Sequence, residues 1–279
     1  MQAIAAKKED IKYILKTFDI HMSKKLGQNF LIDETVVNNI VNAAEIEEGE
    51  TVLEIGPGIG TLTQALAEAK ANVIAVEIDN KLPAVLAKTL EGYDNVRIVH
   101  DDILKVNIRE LVEDKPFKVV ANLPYYITTP IIMGILEQKL PVTRLVTMIQ
   151  KEVADRMIAK PGKKDYGSLS VAVQYYTEPE IVALVPPKSF IPSPAVDSVV
   201  ISCKVRPQPA VKVNSEKMFF TIAKGGFAQR RKTLSNSLKT TGIPADRIKG
   251  ALESAGIDGN RRGETLSLQE FADIANNLA

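Results

Sequence analysis

A glycine-rich turn between a short apolar run and an amphipathic segment most constrains the fold of this chain. Thr51–Ile55 is rich in β-branched and aliphatic residues, Gly56, Gly58 and Gly60 follow at alternate positions, and apolar residues recur at helical spacing after Thr61. Glycine permits positive φ and lets a ligand approach the backbone closely. The pattern predicts a cradle for a nucleotide-like cofactor where a strand passes into a helix.

Short β-branched runs alternate with amphipathic segments from residue 51 to about residue 206. Strands that alternate with helices predict a parallel, doubly wound α/β sheet. Asp33 and Thr61 each precede apolar residues at helical spacing and mark two helix starts. The strand candidates are Thr51–Ile55, Asn72–Ile78, Val96–His100, Phe117–Ala121 and Leu145–Ile149.

Two later runs, Ile181–Val185 and Ser198–Val205, flank a proline-rich stretch that is too short for a crossover helix. They therefore predict an antiparallel hairpin at the sheet edge. Arg206–Ala210 then interrupts the pattern with two prolines, and the sequence after Ser215 has helical character. We expect a domain boundary near residue 210, with a basic segment at 1–30, an α/β domain at 31–209 and a helical domain at 210–279.

The charges are unevenly distributed along the 279 residues, although the formal net charge is only +1. From Pro187 onward there are 14 Lys and Arg against 8 Asp and Glu, a net +6, which leaves 21 against 26, a net −5, before it. Residues 1–30 carry six Lys against three acids. Basic ends predict contact with a polyanion, and solvated helix faces are the alternative interpretation.

A single cysteine excludes an internal disulfide. Cys203 lies in an alternating run typical of a strand, which predicts a buried structural thiol and fits a reducing compartment. No apolar run approaches the ~18 residues that span a bilayer, and the N-terminus lacks a signal-peptide core. We expect a cytoplasmic protein without a membrane segment.

The spacing of the glycine turn favours one class of cofactor. Dinucleotide enzymes prefer G-x-G-x-x-G, whereas here the glycines are separated by single residues, with Pro57 between the first two and Glu54 inside the preceding strand. A carboxylate there suits a ligand that has no phosphate and carries a cationic amino acid part. S-adenosylmethionine is therefore favoured over NAD, and a turn without a ligand is the third possibility.

Acidic residues follow the next two strand candidates. Glu77 lies about twenty residues beyond the glycines, where a carboxylate can accept both ribose hydroxyl protons. Asp79 is the competing acid, and we expect it to cap a helix. After the following strand, Asp102 is the candidate for the cofactor adenine and Asp101 is the alternative; two adjacent loop acids could also be merely solvated.

An Asn-Leu-Pro-Tyr sequence, Asn122–Tyr125, follows the fourth strand candidate and is here named the clamp. Methylation of an aromatic amine requires acceptors that hold the amine pyramidal, and the Asn122 side-chain carbonyl and the Leu123 backbone carbonyl can supply them. Pro124 fixes the turn, and Tyr125 would stack on the target base. Phe190, in a stiff proline-rich loop, would cover the other face of the base or else belong to the core.

Neither histidine has a second ligand at metal spacing. We therefore expect His21 and His100 to be structural and the site to contain no metal.

Six ordered motifs together resemble the KsgA (RsmA) family of bacterial small-subunit rRNA adenine dimethyltransferases. The similarity covers nearly the whole chain, and the ordered set is far more specific than any one motif. The motifs are Lys24–Leu31, Glu54–Thr63, Glu77, Asp102–Leu104, Asn122–Thr128 and Phe190–Ser198.

The resemblance implies a Rossmann-like class I methyltransferase fold. Its sheet would have seven mostly parallel strands and an antiparallel edge hairpin, followed by a small all-α C-terminal domain. The N-terminal segment, through Asn29 and Leu31, would close over S-adenosylmethionine, which Gly56 and Gly58 would line. By the same resemblance, Glu77 would hold the ribose, Asp102 the adenine, and Asn122 would face both cofactor and target.

The resemblance also implies a substrate. The family adds two methyl groups to each of two neighbouring adenosines in a hairpin loop near the 3′ end of 16S rRNA, within the immature small subunit, and releases S-adenosylhomocysteine. We expect a monomer that docks through its helical domain. Charge and position select the candidate phosphate contacts Lys224, Arg230, Arg231, Lys232, Lys239, Arg261 and Arg262.

Two alternatives remain at this point. Erm methyltransferases modify a large-subunit rRNA adenine and share the glycine loop and the clamp, but the sequences around Asn122–Thr128 and Phe190–Ser198 favour the small-subunit branch. A ribosome-assembly or nucleic-acid-binding factor with a vestigial site should have lost the clamp or the ribose acid, and both are present here. Asp101 stands where many family members have glycine or glutamine, which leaves the choice of adenine acid open.

Overall fold

The computed structural model describes residues 8–21 and 27–279. Its elements alternate through most of the chain and become helical at the end. The helices are α1 Lys8–Thr17, α2 Glu34–Ala44, α3 Thr61–Glu68, α4 Pro83–Thr89, α5 Ile108–Leu111, α6 Thr128–Glu137, α7 Lys151–Ile158, α8 Ser168–Tyr176, α9 Glu216–Phe227, α10 Leu234–Leu238, α11 Ala245–Ser254 and α12 Leu268–Asn276. The strands are β1 Phe30–Leu31, β2 Thr51–Ile55, β3 Asn72–Glu77, β4 Val96–His100, β5 Phe117–Asn122, β6 Val142–Gln150, β7 Thr177–Val185, β8 Phe190–Ile191 and β9 Ser198–Val205.

The chain forms two compact units. The first comprises the described residues up to Ala154 together with Glu180–Val205, and the second comprises Asp155–Pro179 and Arg206–Ala279. This division differs from the predicted boundaries because residues 155–179, assigned from the sequence to the α/β domain, pack in the second unit. In that unit Tyr175 on α8 stacks on Phe219 on α9, with ring centroids 4.8 Å apart.

The first unit contains a seven-stranded sheet in the order β4-β3-β2-β5-β6-β9-β7. Strands β2 to β6 pair in parallel with their neighbours, and β9 pairs antiparallel to β6. The central strands are apolar runs buried on both faces, as is usual when helices cover both sides of a parallel sheet. The predicted α/β fold is confirmed, and the two late runs are neighbours at the sheet edge as expected.

The strand order explains where a ligand can bind. From β2 the chain moves outward through β3 and β4, and then returns to place β5 on the other side of β2. Connections leave β2 and β5 in opposite directions, so a crevice opens beyond their carboxyl ends. The glycine turn after β2 and the clamp sequence after β5 both meet this crevice.

Local sequence accounts for the helix starts. The Asp33 side chain accepts a hydrogen bond from the Thr35 amide at 3.1 Å and caps α2, as predicted. Gly60, at φ +93°, precedes α3, which begins at Thr61. In the second unit Ser215 caps α9, and Ser267 with Glu270 forms a capping box on α12.

Candidate active site

A cleft lies at the carboxyl ends of the parallel strands in the first unit. Its empty volume is about 1110 Å³ when the space open to solvent is included. Residues that follow β2, β3, β4 and β5 all line it, so side chains far apart in sequence face one space. The segment from Gly27 to Leu31, which leads into and includes β1, also lines the cleft.

The glycine turn forms the floor beside β2. Gly56 and Gly58 have φ values of +69° and +63°, which lie in a backbone region that residues other than glycine rarely adopt. A Cβ added to Gly58 would lie 3.2 Å from the Phe30 ring, so this position also needs glycine for space. A Cβ on Gly56 would meet no atom of residues 8–21 or 27–279 within 4 Å, which leaves that stretch of backbone open to a ligand.

Glu54 is a buried carboxylate at the cleft wall. It is 2% exposed, and its Oε2 atom has no hydrogen-bond partner among the described residues. Burial raises the pKa of Glu54 from 4.5 to about 8, with a smaller lowering by Thr63 and a further increase from the charge of Glu77. A cationic ligand group would supply the missing partner and favour the ionised form.

Glu77, at the end of β3, is held directly over the glycine turn. Its Oε2 accepts the Gly58 amide at 3.2 Å and its Oε1 accepts the Asp79 amide at 2.8 Å. Burial raises the pKa of Glu77, and these backbone hydrogen bonds partly oppose the increase. The carboxylate therefore has a fixed orientation at the place where the sequence predicts a ribose.

The prediction that Asp79 caps a helix is wrong. The helix α4 begins at Pro83, and Asp79 instead accepts a hydrogen bond from the Gln28 side chain at 2.6 Å. It also accepts the Lys81 amide at 3.0 Å. This acid thus ties the segment before β1 to the turn after β3.

Asp101 and Asp102 both line the cleft after β4. Asp101 is exposed and its side chain accepts the Asp102 amide at 2.7 Å. Asp102 is half-buried, accepts the Leu104 amide at 3.0 Å and lies 3.5 Å from Lys105 Nζ. Each carboxylate also shapes its own turn, so the choice between them stays a prediction.

The segment before α2 covers one side of the cleft. Leu31 pairs with Phe190 and Phe30 with Ile191, which makes β1 and β8 a short antiparallel ladder. Asn29 donates its side-chain amide to the Gly27 carbonyl at 3.1 Å. Lys24, Lys25 and Leu26 of the predicted N-terminal motif lie outside the described residues, as do residues 1–7, 22 and 23 of the predicted basic segment 1–30.

The clamp sequence also lines the cleft and contacts this segment. Asn122 Nδ2 donates to the Asn29 carbonyl at 3.2 Å, which turns the Asn122 carbonyl oxygen away from that contact. Leu123 is buried, and its amide donates to the Met148 carbonyl at 3.1 Å. The turn is closed by Pro124, whose carbonyl accepts the Thr128 hydroxyl at 3.1 Å.

Tyr125 is held by a residue on another strand. Its hydroxyl lies 2.7 Å from the hydroxyl of Ser198, a fully buried residue at the start of β9. Burial raises the pKa of Tyr125, and the hydrogen bond to Ser198 opposes the increase. The ring at the cleft therefore has a defined position before any substrate binds.

Phe190 differs from the other predicted clamp residues. It is 2% exposed, does not line the cleft, and packs in a core cluster with Leu31, Val185 and Val200. Its pairing with Leu31 in the β1–β8 ladder directs its side chain into the core. The core interpretation describes Phe190 in this structure, and stacking on a base would require it to move.

Comparison with known proteins identifies the family. A family model described as ribosomal RNA adenine dimethylase matches residues 20–279. The chain belongs to this family. Two similar proteins are named ribosomal RNA small subunit methyltransferase A. The one from Alkaliphilus oremlandii is 50% identical over 274 residues, which cover 96% of each chain. The one from Clostridioides difficile is 52% identical over 270 residues, which cover 95% of this chain and 93% of the relative.

Two solved structures of similar proteins share the fold. A dimethyladenosine transferase from Plasmodium falciparum has a TM-score of 0.76 at 26% identity and covers 88% of this chain and 95% of its own. The 23S rRNA methyltransferase ErmE has a TM-score of 0.69 at 28% identity, with coverage of 90% and 99%. The Rossmann-like methyltransferase fold and the family resemblance drawn from the motifs are confirmed.

Three residues that line or support the cleft, Ile78, Ile103 and Ser198, were not among the predicted site residues. Ile78 and Ile103 line the cleft directly after Glu77 and Asp102, where they offer apolar contact to a planar ring. Ser198 contacts Tyr125 and is recognisable only as the last residue of the Phe190–Ser198 motif. The available signal for the two isoleucines was an apolar residue directly after each predicted cofactor acid.

The predicted RNA contacts all lie in the second unit, but they differ in environment. Lys224, Arg231, Lys232 and Arg262 are exposed, and exposed Lys239 donates to Asn236 at 3.0 Å.

Two of these candidates are engaged within the unit. Arg230, also exposed, donates to the Lys164 carbonyl and lies 3.8 Å from Glu264. Arg261 is half-buried and pairs with Glu270, the acid of the α12 capping box.

Across the described part of the chain, no three His, Cys, Asp or Glu side chains are grouped as metal ligands would be. Within residues 8–21 and 27–279, no helix combines the length and apolar character needed to cross a bilayer. The metal-free site stays a prediction.

Proposed function

We propose that this chain is a 16S rRNA adenine N6-dimethyltransferase that uses S-adenosylmethionine. One observation carries the proposal: the buried acids Glu54 and Glu77 and the clamp Asn122–Tyr125 line the same cleft. The family match and the relatives named ribosomal RNA small subunit methyltransferase A support an rRNA substrate. The small-subunit relative from Alkaliphilus oremlandii is 50% identical to this chain, whereas ErmE is 28% identical. This difference favours small-subunit methylation over an Erm-type activity.

The residues present fit the cofactor. The unpartnered Oε2 of Glu54 would accept a hydrogen bond from the cationic amino group of the cofactor. The open backbone at Gly56 would contact the cofactor directly. Glu77 would accept the ribose hydroxyls, and Asp102 would accept the adenine amine, with Asp101 as the alternative. Asn29 and Leu31 would cover the bound molecule, which would supply an electrophilic methyl group on its sulfonium sulfur.

The clamp residues would prepare the target amine. Asn122 Oδ1 and the Leu123 carbonyl would each accept an N–H of adenine N6, which turns the nitrogen lone pair toward the methyl group. Bound S-adenosylmethionine would supply the methyl group, with C–S bond cleavage balancing C–N bond formation and S-adenosylhomocysteine as the product, and the methylated amine would carry a positive charge. That cation then releases a proton to solvent, so no strong base is needed. Tyr125, fixed by Ser198, would stack on the base, and Phe190 would do so only after moving.

The remaining details extend the proposal beyond the cleft. We infer that the two modified adenosines are neighbours in the 3′-terminal hairpin loop, and that the substrate is the immature small subunit in the cytoplasm. A monomer would bind through exposed cations of its helical unit. Among the predicted contacts Arg261 is the weakest, because Glu270 already pairs with its guanidinium.

Transfer of labelled methyl from S-adenosylmethionine to unmethylated small subunits tests the proposal, with large-subunit rRNA in parallel and nucleoside analysis of both. Dimethyladenosine confined to the small subunit is the expected result. Label in large-subunit rRNA instead would indicate an Erm-type enzyme. Absence of label in both, with binding retained, would indicate a non-catalytic assembly factor.

A further inference from the structure

A lysine-rich loop in the second unit contacts Arg230, one of the predicted RNA contacts. The lysine loop, Lys160–Asp165, joins α7 to α8, and the arginine turn, Arg230–Lys232, joins α9 to α10. The Arg230 guanidinium donates to the Lys164 carbonyl. The Gly162 amide donates at 2.7 Å to the carbonyl of Glu264. The lysine loop and the arginine turn, joined by a contact between residues 66 apart in sequence, therefore meet in space.

A third segment, Arg261–Glu264, completes the junction. The amide of Leu234, just after the arginine turn, donates at 2.6 Å to the Arg261 carbonyl. A Cβ added to Gly263 would lie only 2.2 Å from the Gly226 carbonyl oxygen, so the two backbones are in close contact. Main-chain hydrogen bonds thus join Arg261–Glu264 to the lysine loop and to the residues just after the arginine turn. The Arg230 side chain joins the arginine turn to the lysine loop.

The charge of this junction is strongly one-sided. Within the three segments the acids are Asp165, which is exposed, and Glu264, which is half-buried and lies 3.8 Å from Arg230. Arg261 is engaged by Glu270. The exposed cations, here named the basic patch, are Lys160, Lys163, Lys164, Arg230, Arg231, Lys232 and Arg262.

The lysine loop is anchored at its end. Tyr166 is 1% exposed, and its ring meets Phe227 edge-on with centroids 5.5 Å apart. Phe227 is the last residue of α9, just before the arginine turn. Turn hydrogen bonds from Lys163 to Lys160 and from Tyr166 to Lys163, at 3.2 and 3.1 Å, order the loop between these points. An ordered loop loses less conformational freedom when it binds.

We propose that the lysine loop forms, with the arginine turn and Arg262, one binding surface for the phosphate backbone of the substrate RNA. This inference rests on the proposed function, which makes the partner an RNA. Lysine and arginine donate to phosphate oxygens without reading sequence, and clustered cations gain affinity by releasing counterions. None of the exposed large apolar side chains of the described residues lies in the three segments, whereas a membrane surface would also be bound by apolar contact.

The test compares two triple variants. Lys160→Gln, Lys163→Gln and Lys164→Gln together should raise Kd for unmethylated small subunits at least ~10-fold at 100 mM salt. The slope of log affinity against log salt should fall by about 2 to 3, and cofactor binding and kcat at saturating substrate should not change. The matched control changes three exposed lysines elsewhere in the second unit, Lys212, Lys217 and Lys249, to Gln.

Equal weakening by both triple variants would show a general charge effect and overturn the proposal, as would unchanged binding by the lysine-loop variant. Loss of binding to phosphatidylglycerol vesicles, with subunit binding intact, would assign the patch to a membrane surface and also overturn it. If the wild-type protein binds subunits as expected but transfers no methyl group, the proposed function fails while the RNA surface stands.

Discussion

The cleft of the first unit and the basic patch of the second handle polar groups in opposite ways. The cleft buries a few acids, with Glu54 and Glu77 only 2% and 5% exposed, and each is placed by the end of a strand. The patch spreads exposed cations over three turns. Chemistry needs few groups, desolvated and held at fixed positions, whereas binding a polyanion needs charge density. Fixed positions at strand ends produce sequence motifs of adjacent residues, whereas charge density can be assembled from separate turns and produces no such motif.

If the cleft works through fixed positions, loss of one amide should be severe. Asn122→Ala should lower kcat by at least ~100-fold, because a preorganised acceptor for the target amine is lost. The dissociation constant of S-adenosylmethionine, measured by calorimetry, should remain measurable in the variant. Turnover close to that of the wild-type protein would refute the clamp.

If the patch works through charge density, its effect should depend on salt. Reversal of Arg230, Arg231 and Lys232 to Glu should weaken binding to small subunits by roughly 30-fold near 100 mM salt, and much less at high salt. Filter binding over a salt series measures this. Unchanged binding would mean that the helical unit docks through another surface.

Glu54 tests whether burial of charge distinguishes the cleft. Glu54→Gln should weaken S-adenosylmethionine binding by about 10-fold, the scale of one charged hydrogen bond. Burial raises the pKa of Glu54 from 4.5 to about 8. Between these two pH values the folded protein therefore keeps a proton on Glu54 that the unfolded chain has lost.

The unfolding free energy of the wild-type protein, relative to Glu54→Gln, should therefore be highest below about pH 4.5. It should fall as the pH rises toward 8 and then level off. Denaturant titrations of both proteins at several pH values measure the difference. A difference that is constant with pH would contradict the raised pKa.

The Tyr125–Ser198 contact tests preorganisation more gently. Tyr125→Phe and Ser198→Ala should each lower kcat a few-fold and cost about 1 kcal/mol of stability, the net value of a hydrogen bond. The double variant should be little worse than either single one, as a double-mutant cycle would show. Fully additive effects would mean that the two hydroxyls do not act together.

Two adjacent arginines give the smallest and most local contrast. Arg262→Gln should weaken subunit binding about 3-fold without changing Tm, because its side chain is exposed in the patch. Arg261→Gln should lower stability by up to about 1 kcal/mol and leave the salt slope unchanged, because it removes the partner of Glu270. Thermal melts with binding assays separate the two, and reversed outcomes would reverse these roles.

Much of the first unit could be predicted because its signals are local. Strand candidates such as Val96–His100 coincide with the observed strands, and Asp33 caps a helix as its position indicates. The prediction for Asp79 failed because its partner, Gln28, lies 51 residues away. Phe190 could be assigned either to the clamp or to the core, and only its pairing with Leu31 shows where its ring packs.

The second unit was harder to delimit. Residues 155–179 follow the strand–helix alternation, yet Tyr175 is buried among the aromatic residues of α9. Hydrophobic periodicity shows which face of a helix is buried, but it does not show against which unit.

The sequence by itself determined the α/β fold, the cofactor class and the family, because strand periodicity, glycine spacing and strand-ending polar residues are local properties. Only the tertiary structure decided which distant segments meet: Ser198 with Tyr125, Gln28 with Asp79, and the lysine loop with the arginine turn. The reason is physical. A pattern along the chain constrains backbone conformation and burial, whereas the partner of a polar side chain depends on the packing of the whole unit.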